Sequence, residues 1–540
     1  MAVDQTPDDA NKPILFSLAL HFAVPPHHTG SEGQEAKPGM PNDRSAAHSN
    51  PEHPNLRELA RHAMIARGFL VEFPAEAKAE VATETEPSFE TLKVRDLRSW
   101  LWSSIDNDES RDLDQIEYAK SESGATRLYV GIADVDWFVS RHSMIDQAAQ
   151  HNTTSVYTGV LTFPMLPEKL CTDLTSLNEG QQRLAIVVEM LVTQDGRTAE
   201  SSVYAAVVQN KAQLTYNGVA AWLGDASGTA SEIGRRTLSK IQQSPELQEQ
   251  LRLQDRAAET LRKARHEAGA LSFHTSEMNP VLSAEGVVLN LEVRRQNRAS
   301  LLIEDLMIAS NEATAKFLDD NNALSLRRVV KTPERWDRIV SLAASLGGHL
   351  PVEPDMKGLQ QFLDMQRQDN PAHFADISLA VVKLLGRGEY VARSPGDTTP
   401  GHFALAANAY SHSTAPNRRF PDLITQRLVK AVLSRTAPSY SKDELDGLAA
   451  HCTEREDAAN KVERFVKKCA AAVLLRPRIG EVFDGVISGV TDRGSWVRIS
   501  HPQVEGKIVG HTRRVDVGDR VHVRLESVDA EQGFIDFQLV

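Results

Sequence analysis

The period of the hydrophobic pattern changes near residue 478, and one architecture cannot satisfy both sides of that change. Beyond it, apolar and polar residues alternate in short segments, 480–487, 495–499, 520–525 and 533–537, punctuated by Gly485, Gly494, Gly506, Gly510 and Gly518. Alternation of period two with regular turns predicts a small closed β-barrel over 478–540. Before residue 478 the periods are mixed. Residues 127–139 and 184–192 are β-rich, the second run continuous enough for a buried strand. Ser244-Pro245-Glu246 is a helix start, apolar residues recur at Leu247, Leu251 and Leu261, and Gly269 ends the run. Further helices are predicted over 301–317 and 423–433. No βαβ repeat emerges, so the fold class is α+β: a mixed body over about 96–475, then the barrel.

Two segments precede that body. Residues 1–54 read as a disordered linker, because 25–54 are rich in Pro, Gly, Ser and His and offer little to bury. His27, His28, His48 and His53 lie there, and nothing nearby would fix them as metal ligands. Residues 55–95 read as a small helical accessory segment. Asn55-Leu-Arg-Glu58 is a capping-box pattern, Leu56, Leu59, Ala60, Ala63 and Met64 form a helical stripe, and Gly68 closes it.

Composition narrows the function. The 540 residues carry 60 Lys and Arg against 73 Asp and Glu, a net charge of −13. That argues against an indiscriminate nucleic-acid coat but not against a basic channel. No apolar run reaches the roughly 18 residues a membrane span needs. The three cysteines, Cys171, Cys452 and Cys469, show no paired spacing, and the start of the chain is acidic rather than basic. A reducing, cytoplasmic location without a secretory leader is expected.

Three constellations carry chemistry. Asp112 and Asp114 are two residues apart, so an extended backbone puts both carboxylates on one side. Asp106 lies six residues earlier, across a turn-like Asn-Asp-Glu-Ser segment. The spacing alone fits either a solvated acidic loop or an all-oxygen site for a hard cation, Mg²⁺ or Mn²⁺. In the second, Glu304 and Asp305 interrupt the otherwise apolar 301–309, so each needs a partner: an arginine, a cation or a ligand hydroxyl. The third is Tyr410-Ser-His412-Ser-Thr414-Ala-Pro416-Asn-Arg418-Arg419, whose paired arginines could clamp a phosphate or merely lie on a salt-bridged surface.

In this order the three segments resemble the RNB catalytic domain of the ribonuclease II and ribonuclease R family of exoribonucleases, over about 96–475. Further similar stretches are 157–167, 173–180, Gly269-Ala-Leu-Ser-Phe273 and Glu463-Arg464, and the barrel resembles the S1-type OB-fold RNA-binding domain of that family. The resemblance implies a Mg²⁺-dependent hydrolase, with Mn²⁺ as the alternative, that degrades single-stranded RNA from its 3′ end to nucleoside 5′-monophosphates. It implies Asp106, Asp112 and Asp114 as metal-holding catalytic acids and Arg418 as the group that neutralises phosphoryl charge. Tyr157 and Phe273 match the base-stacking aromatics, Glu304 the carboxylate near the 3′ end, and Glu463 and Arg419 further substrate-binding groups. A monomer with no obligate protein partner is expected.

The chain departs from the family pattern at Gln115, where a fourth aspartate is usual. An amide brings no charge, and this motivates the alternative of a weakened or inactive RNA-binding regulatory protein. Ala415, Asn417 and Phe420 read as packing drift. Nothing before residue 96 resembles the cold-shock-type barrels many members carry, and the barrel segment holds more acids than bases. Its RNA contacts are expected to be local, through Trp496 and Arg498.

Overall fold

The computed structural model describes residues 55–540 except 226–230, 274–276, 284–285, 295, 372–373, 399, 492–493, 511–514 and 517. The expected linker over 1–54 and the barrel's Arg493, Arg513 and Arg514 lie outside the described residues. Asn55 opens the first helix, α1 (Leu56–Ala66), by accepting from the backbone N–H groups of Arg57 and Glu58, two of the donors a helix start leaves free. α2 (Ala75–Thr83) follows.

The chain then forms β1 (Arg95–Asp96), β2 (Trp102–Asp106), β3 (Gln115–Glu122) and β4 (Ala125–Ala133). Helix α3 (Met144–Asn152) leads to a short hairpin, β5 (Val156–Tyr157) and β6 (Thr162–Phe163), and then to β7 (Gln182–Val192) and β8 (Thr198–Thr215). The sheet order is β1-β8-β2-β3-β4-β7, with β8 also pairing with β7. The long β8 makes this possible: its first part runs antiparallel to β7 and its last residues run parallel to β2. The sheet therefore curls round on itself.

Helices α4 (Tyr216–Trp222), α5 (Glu232–Gln242) and α6 (Pro245–Ala268) come next. The α6 boundaries follow the sequence: Ser244 accepts from the N–H of Leu247, and Gly269 takes a φ of 102° that a side chain would resist. After the hairpin β9 (Glu277–Leu282) and β10 (Val288–Arg294), α7 (Arg298–Asp320) crosses the core. Fifteen of its residues, from Ala299 to Leu318, are buried. β11 (Ser325–Val329), α8 (Trp336–Ser345), α9 (Met356–Asp369), α10 (Phe374–Leu385), β12 (Glu389–Arg393), α11 (Phe420–Ser434) and the long α12 (Lys442–Leu475) complete the body. α1 packs on α12 through a cluster that joins Ala60 and Met64 to Val462 and Val466. No helix among the described residues is long and apolar enough to cross a membrane.

The C-terminal strands, β13 (Val482–Thr491), β14 (Gly494–Ile499), β15 (Val504–Ile508), β16 (Arg520–Asp529) and β17 (Phe534–Leu539), close a barrel in the order β13-β14-β15-β17-β16. Two of the punctuating glycines are not turns. Gly485 and Gly506 lie inside β13 and β15, where a Cβ on Gly506 would meet the Phe537 ring at 2.5 Å and the Ile535 carbonyl oxygen at 2.6 Å. Arg498 faces the body, paired with Asp376 of α10 at 3.3 Å, so its charge is already engaged. Gly506→Ala is expected to cost the barrel on the order of 1–3 kcal/mol by overpacking, read as a lower melting transition and earlier proteolysis after residue 478.

Candidate active site

β2 ends at Asp106, and the chain folds back at once. One Asp106 oxygen accepts from the Asn107 N–H at 2.7 Å and from the Ser110 hydroxyl at 2.9 Å, the local turn that short polar side chains favour. The returning strand is pinned from the 173–180 stretch. The Ser176 hydroxyl donates to the Arg111 carbonyl and accepts from the Leu113 N–H, and the Leu177 N–H donates to the Leu113 carbonyl. Asp112 is held between those anchors. Sequence matched this stretch without giving it a role; its role is to fix the acidic loop.

Asp114 joins the loop to the segment before α11. Its oxygens accept from the backbone N–H of Asn417 at 3.1 Å and from Nε of Arg418 at 3.0 Å. Ser155 N–H donates to the Arg418 carbonyl, and Phe420 N–H to the Thr153 carbonyl, so the residues leading to Tyr157 share the frame. The two adjacent arginines divide: Arg418 faces the acids, whereas Arg419 reaches the buried Asp422 at 2.7 Å. Asn417 is more than packing drift, because its side-chain oxygen is hydrogen-bonded to the Thr175 hydroxyl.

Tyr157 bridges two groups of predicted residues. Its N–H donates to Glu463 at 2.9 Å and its hydroxyl to Asp112 at 3.4 Å. Tyr157, Glu304, His412, Arg418, Arg419 and Glu463 line one pocket, and the aspartates lie behind it, reached through Arg418 and Tyr157. Phe273 is placed elsewhere, partly buried against the α8–α10 cluster of Trp336, Leu359 and Phe374. The paired carboxylates of α7 part company too. Asp305 is ion-paired with Arg262 and Arg265 of α6, while Glu304 lines the pocket and accepts from the Gln296 amide at 2.9 Å.

His412, from the same motif as Arg418, also belongs to the pocket, although the sequence motif implies no role for it. Its Nδ1 lies 2.8 Å from the Tyr390 hydroxyl. Burial, then Arg419 and Arg328, hold its pKa well below the usual imidazole value, so it lines the pocket uncharged. The signal available in sequence was its place six residues before Arg418.

Burial dominates the acids. It raises Asp106 to about 6 with repulsion from Asp112 adding to it, and raises Asp112 against the pull of Arg418. It lifts Asp114 to about 7 although Arg418 opposes it. Arg418 is itself disfavoured by burial, but Asp114 and its neighbours more than offset that and hold it charged. Among the described residues no group of three or more His, Cys, Asp and Glu is gathered tightly enough to hold a metal as it stands. The donor set nonetheless fits a hard cation: oxygens alone, with the buried Asp114 and the half-buried Asp106 and Asp112 sharing Arg418.

The sign of this strain is testable. Without metal, folded Asp106 titrates at about 6, above the roughly 3.9 of an unfolded aspartate. The folded state therefore binds the extra proton between those values, and the contribution of Asp106 to stability declines as pH rises through that window. Asp106→Asn keeps the acceptor for Asn107 and Ser110. In EDTA it is expected to melt above the parent at pH 8, with the difference vanishing towards the pH where Asp106 is protonated in both states. Calorimetry across that range checks it, and a lower melting temperature at pH 8 would refute it.

Residues 94–435 match the RNB domain, and residues 481–540 match the RNase II-type exonuclease C-terminal S1 domain. The chain is similar to Ribonuclease R of Escherichia coli K12, 31% identical over 510 residues that span 87% of this chain and 60% of that protein. Ribonuclease R of Thermotoga maritima is 30% identical over 481 residues, 83% of this chain and 65% of its own length. The chain thus spans less than two thirds of the length of these relatives. Mycoplasma genitalium RNase R in complex with ribose-methylated single-stranded RNA superposes with a TM-score of 0.79 at 22% identity, over 90% of this chain and 78% of that one. Yeast Ssd1, a pseudonuclease, superposes with a TM-score of 0.65 at 16% identity, over 88% and 59%. These structural likenesses establish the fold, and a pseudonuclease among them shows that the fold does not by itself bring activity. The RNB match covers more than half of the chain, with an S1 barrel behind it: this chain belongs to the RNB-domain family.

Proposed function

We propose that the protein is a hydrolytic 3′-to-5′ exoribonuclease that shortens single-stranded RNA and releases nucleoside 5′-monophosphates. The observation that carries this reading is the linkage of pocket to acids: Arg418 and Tyr157 line the pocket and also contact Asp114 and Asp112. A terminal nucleotide seated there lies against an aromatic ring and a guanidinium, with the Asp112 and Asp114 carboxyls directly behind. Asp106, Asp112 and Asp114 hold Mg²⁺, with Mn²⁺ as the alternative. When bound, the metal supplies activation of water and polarisation of the scissile phosphodiester.

The remaining work falls to the chain's own groups. Tyr157 stacks a base without regard to sequence, an interaction worth ~1–3 kcal/mol, and its hydroxyl bond to Asp112 fixes the ring relative to the acids. Glu463 holds the Tyr157 backbone. Burial, then Asp305, raises Glu304 to about 7. A pocket carboxyl of that kind can accept from or donate to a 2′-hydroxyl, the group that separates RNA from DNA. Arg418 neutralises charge on the phosphoryl oxygens, Arg419 serves substrate binding in the same pocket, and Phe273 does so from the α8–α10 cluster. Single-stranded RNA is the partner, the chain acts as a monomer, and its three buried free cysteines suit a reducing cytoplasm.

Shortening of 5′-labelled single-stranded RNA to a small end fragment, with Mg²⁺ but not with EDTA, is the expected result on a sequencing gel. RNA left intact yet retarded on a native gel would reject the enzyme reading. Asp112→Asn and Arg418→Ala are expected to lower the single-turnover rate at least ~100-fold, about 3 kcal/mol, with RNA retention on filters largely kept. Tyr157→Ala is expected to change the length of the end fragment, and an unchanged fragment would remove stacking from its role.

A further inference from the structure

Of the described residues 411–417, His412 alone lines the pocket, whereas Ser411, Ser413, Thr414, Ala415 and Asn417 are buried in the body. The two arginines that follow are committed to carboxylates, Arg418 to Asp114 and Arg419 to Asp422. His412 has one hydrogen-bond partner among the described residues, the Tyr390 hydroxyl, 2.8 Å from Nδ1. Nε2 is then its hydrogen-bonding group for whatever occupies the pocket.

The ring is held from two sides. Asn311 of α7 accepts from the Ser413 N–H at 2.8 Å and from the Ser413 hydroxyl at 2.9 Å, and it donates to the Tyr410 hydroxyl at 3.1 Å. The residues flanking His412 are thereby pinned. From the other side, β11 and β12 support Tyr390. The Arg328 guanidinium stacks on the Tyr390 ring, 4.8 Å from its centroid, and pairs with Glu456 of α12, another residue of the pocket. Thr453 of α12 accepts from the Tyr390 N–H at 2.9 Å. Gly388 leaves that guanidinium its space, since a Cβ there would come within 2.6 Å of it. A ring fixed this closely, with one nitrogen left for the pocket, is preorganised to meet a ligand atom.

A phosphate has little need of that nitrogen, because Arg418 is a permanent cation in the same pocket. A hydroxyl suits it better. The Tyr390 hydroxyl can donate to Nδ1 or accept from it, so Nε2 correspondingly donates or accepts, and a sugar hydroxyl serves either tautomer. We propose that His412 is a substrate-binding residue whose Nε2 hydrogen-bonds a ribose hydroxyl of the 3′-terminal nucleotide, with Tyr390 as its positioning residue. This rests on the reading of the pocket as the seat of the RNA 3′ end.

The test titrates the full chain in EDTA, by fluorescence polarisation, with 5′-labelled oligoribonucleotides of one sequence that end in ribose, 2′-deoxyribose or 3′-deoxyribose. The parent is expected to bind at least one deoxy end about 10-fold more weakly than the ribose end. His412→Asn keeps a group near Nδ1 for Tyr390 but has none at Nε2. It is expected to bind the ribose end as weakly as the parent binds that deoxy end, with no further loss for the deoxy end itself. His412→Gln brings its amide near the place of Nε2 and is expected to retain most of the preference. A merely structural role predicts the opposite order, since Asn keeps the Tyr390 bond and Gln loses it. Tyr390→Phe, which changes no pocket residue, is expected to lower the preference about 3-fold and carries the test should His412→Asn fail to fold. A ribose preference unchanged in the folded variants would overturn the assignment, as would its absence in a parent that still favours linear over circular RNA. A parent that binds linear and circular RNA alike would instead overturn the reading of the pocket on which it rests.

Discussion

The contact between Arg418 and Asp114 organises everything around it. It joins residues 304 apart in sequence, with Asp114 buried and Arg418 partly so. A charge pair taken out of water recovers its desolvation cost only when geometry and further hydrogen bonds are right. Here the Asn417 N–H completes Asp114, and the same backbone turn delivers Arg418 to the acids and Phe420 to the start of α11. The Thr153 and Ser155 backbone is bonded to that turn, so Tyr157 is positioned by the same closure. Loss of the arginine side chain would strand an uncompensated carboxylate, while the backbone bonds that join the three segments would remain.

The pair does not neutralise its surroundings, and that imbalance is what the fold maintains. Three acids near Arg418 are pushed up by burial. Such a cluster lowers the stability of the empty protein, as functional sites commonly do. The compensation is visible elsewhere in the body. Arg427 is paired with Asp136 and with Asp146, and Arg327 with Asp319, each in ordinary one-to-one or networked fashion. Where the fold needs charge only for structure it matches sign with sign. At the site it does not.

Much of this was legible from residues alone. The start of α6 at Ser244-Pro245 and its end at Gly269 follow from local chemistry that needs no tertiary partner. The barrel was legible because alternation survives any packing, although β15 was not separated as a strand. Gly506 hid it, since a glycine that makes a turn and one that lets a ring approach are the same letter. Glu304 and Asp305 gave one signal with two answers, because consecutive helical residues point roughly 100° apart: one meets α6 arginines and the other the pocket. Ser176 and Glu117 were invisible. A serine in a loop and a glutamate in an alternating strand both read as solvent-facing, and only the packed sheet shows the one bonded to the acidic loop and the other sealed from water.

The barrel's place follows from the same distinction between charge and packing. Its ion pairs with α10, Arg498 with Asp376 and Lys383 with Glu505, are partly exposed and contribute little on their own. The apolar seam is larger: Ala471, Ala472 and Leu475 of α12 pack within the barrel's own core cluster with Phe483 and Phe537. The turn between β16 and β17 lies against Lys468 and Cys469, close enough that a Cβ on Gly533 would touch the α12 backbone at 3.3 Å. α12 also carries Glu463, which holds Tyr157. One continuous helix therefore supports the barrel at its end and the pocket at its middle. The distance between them is set by helix geometry, not by a linker, so a strand that touched the barrel and the pocket together would do so over a fixed span.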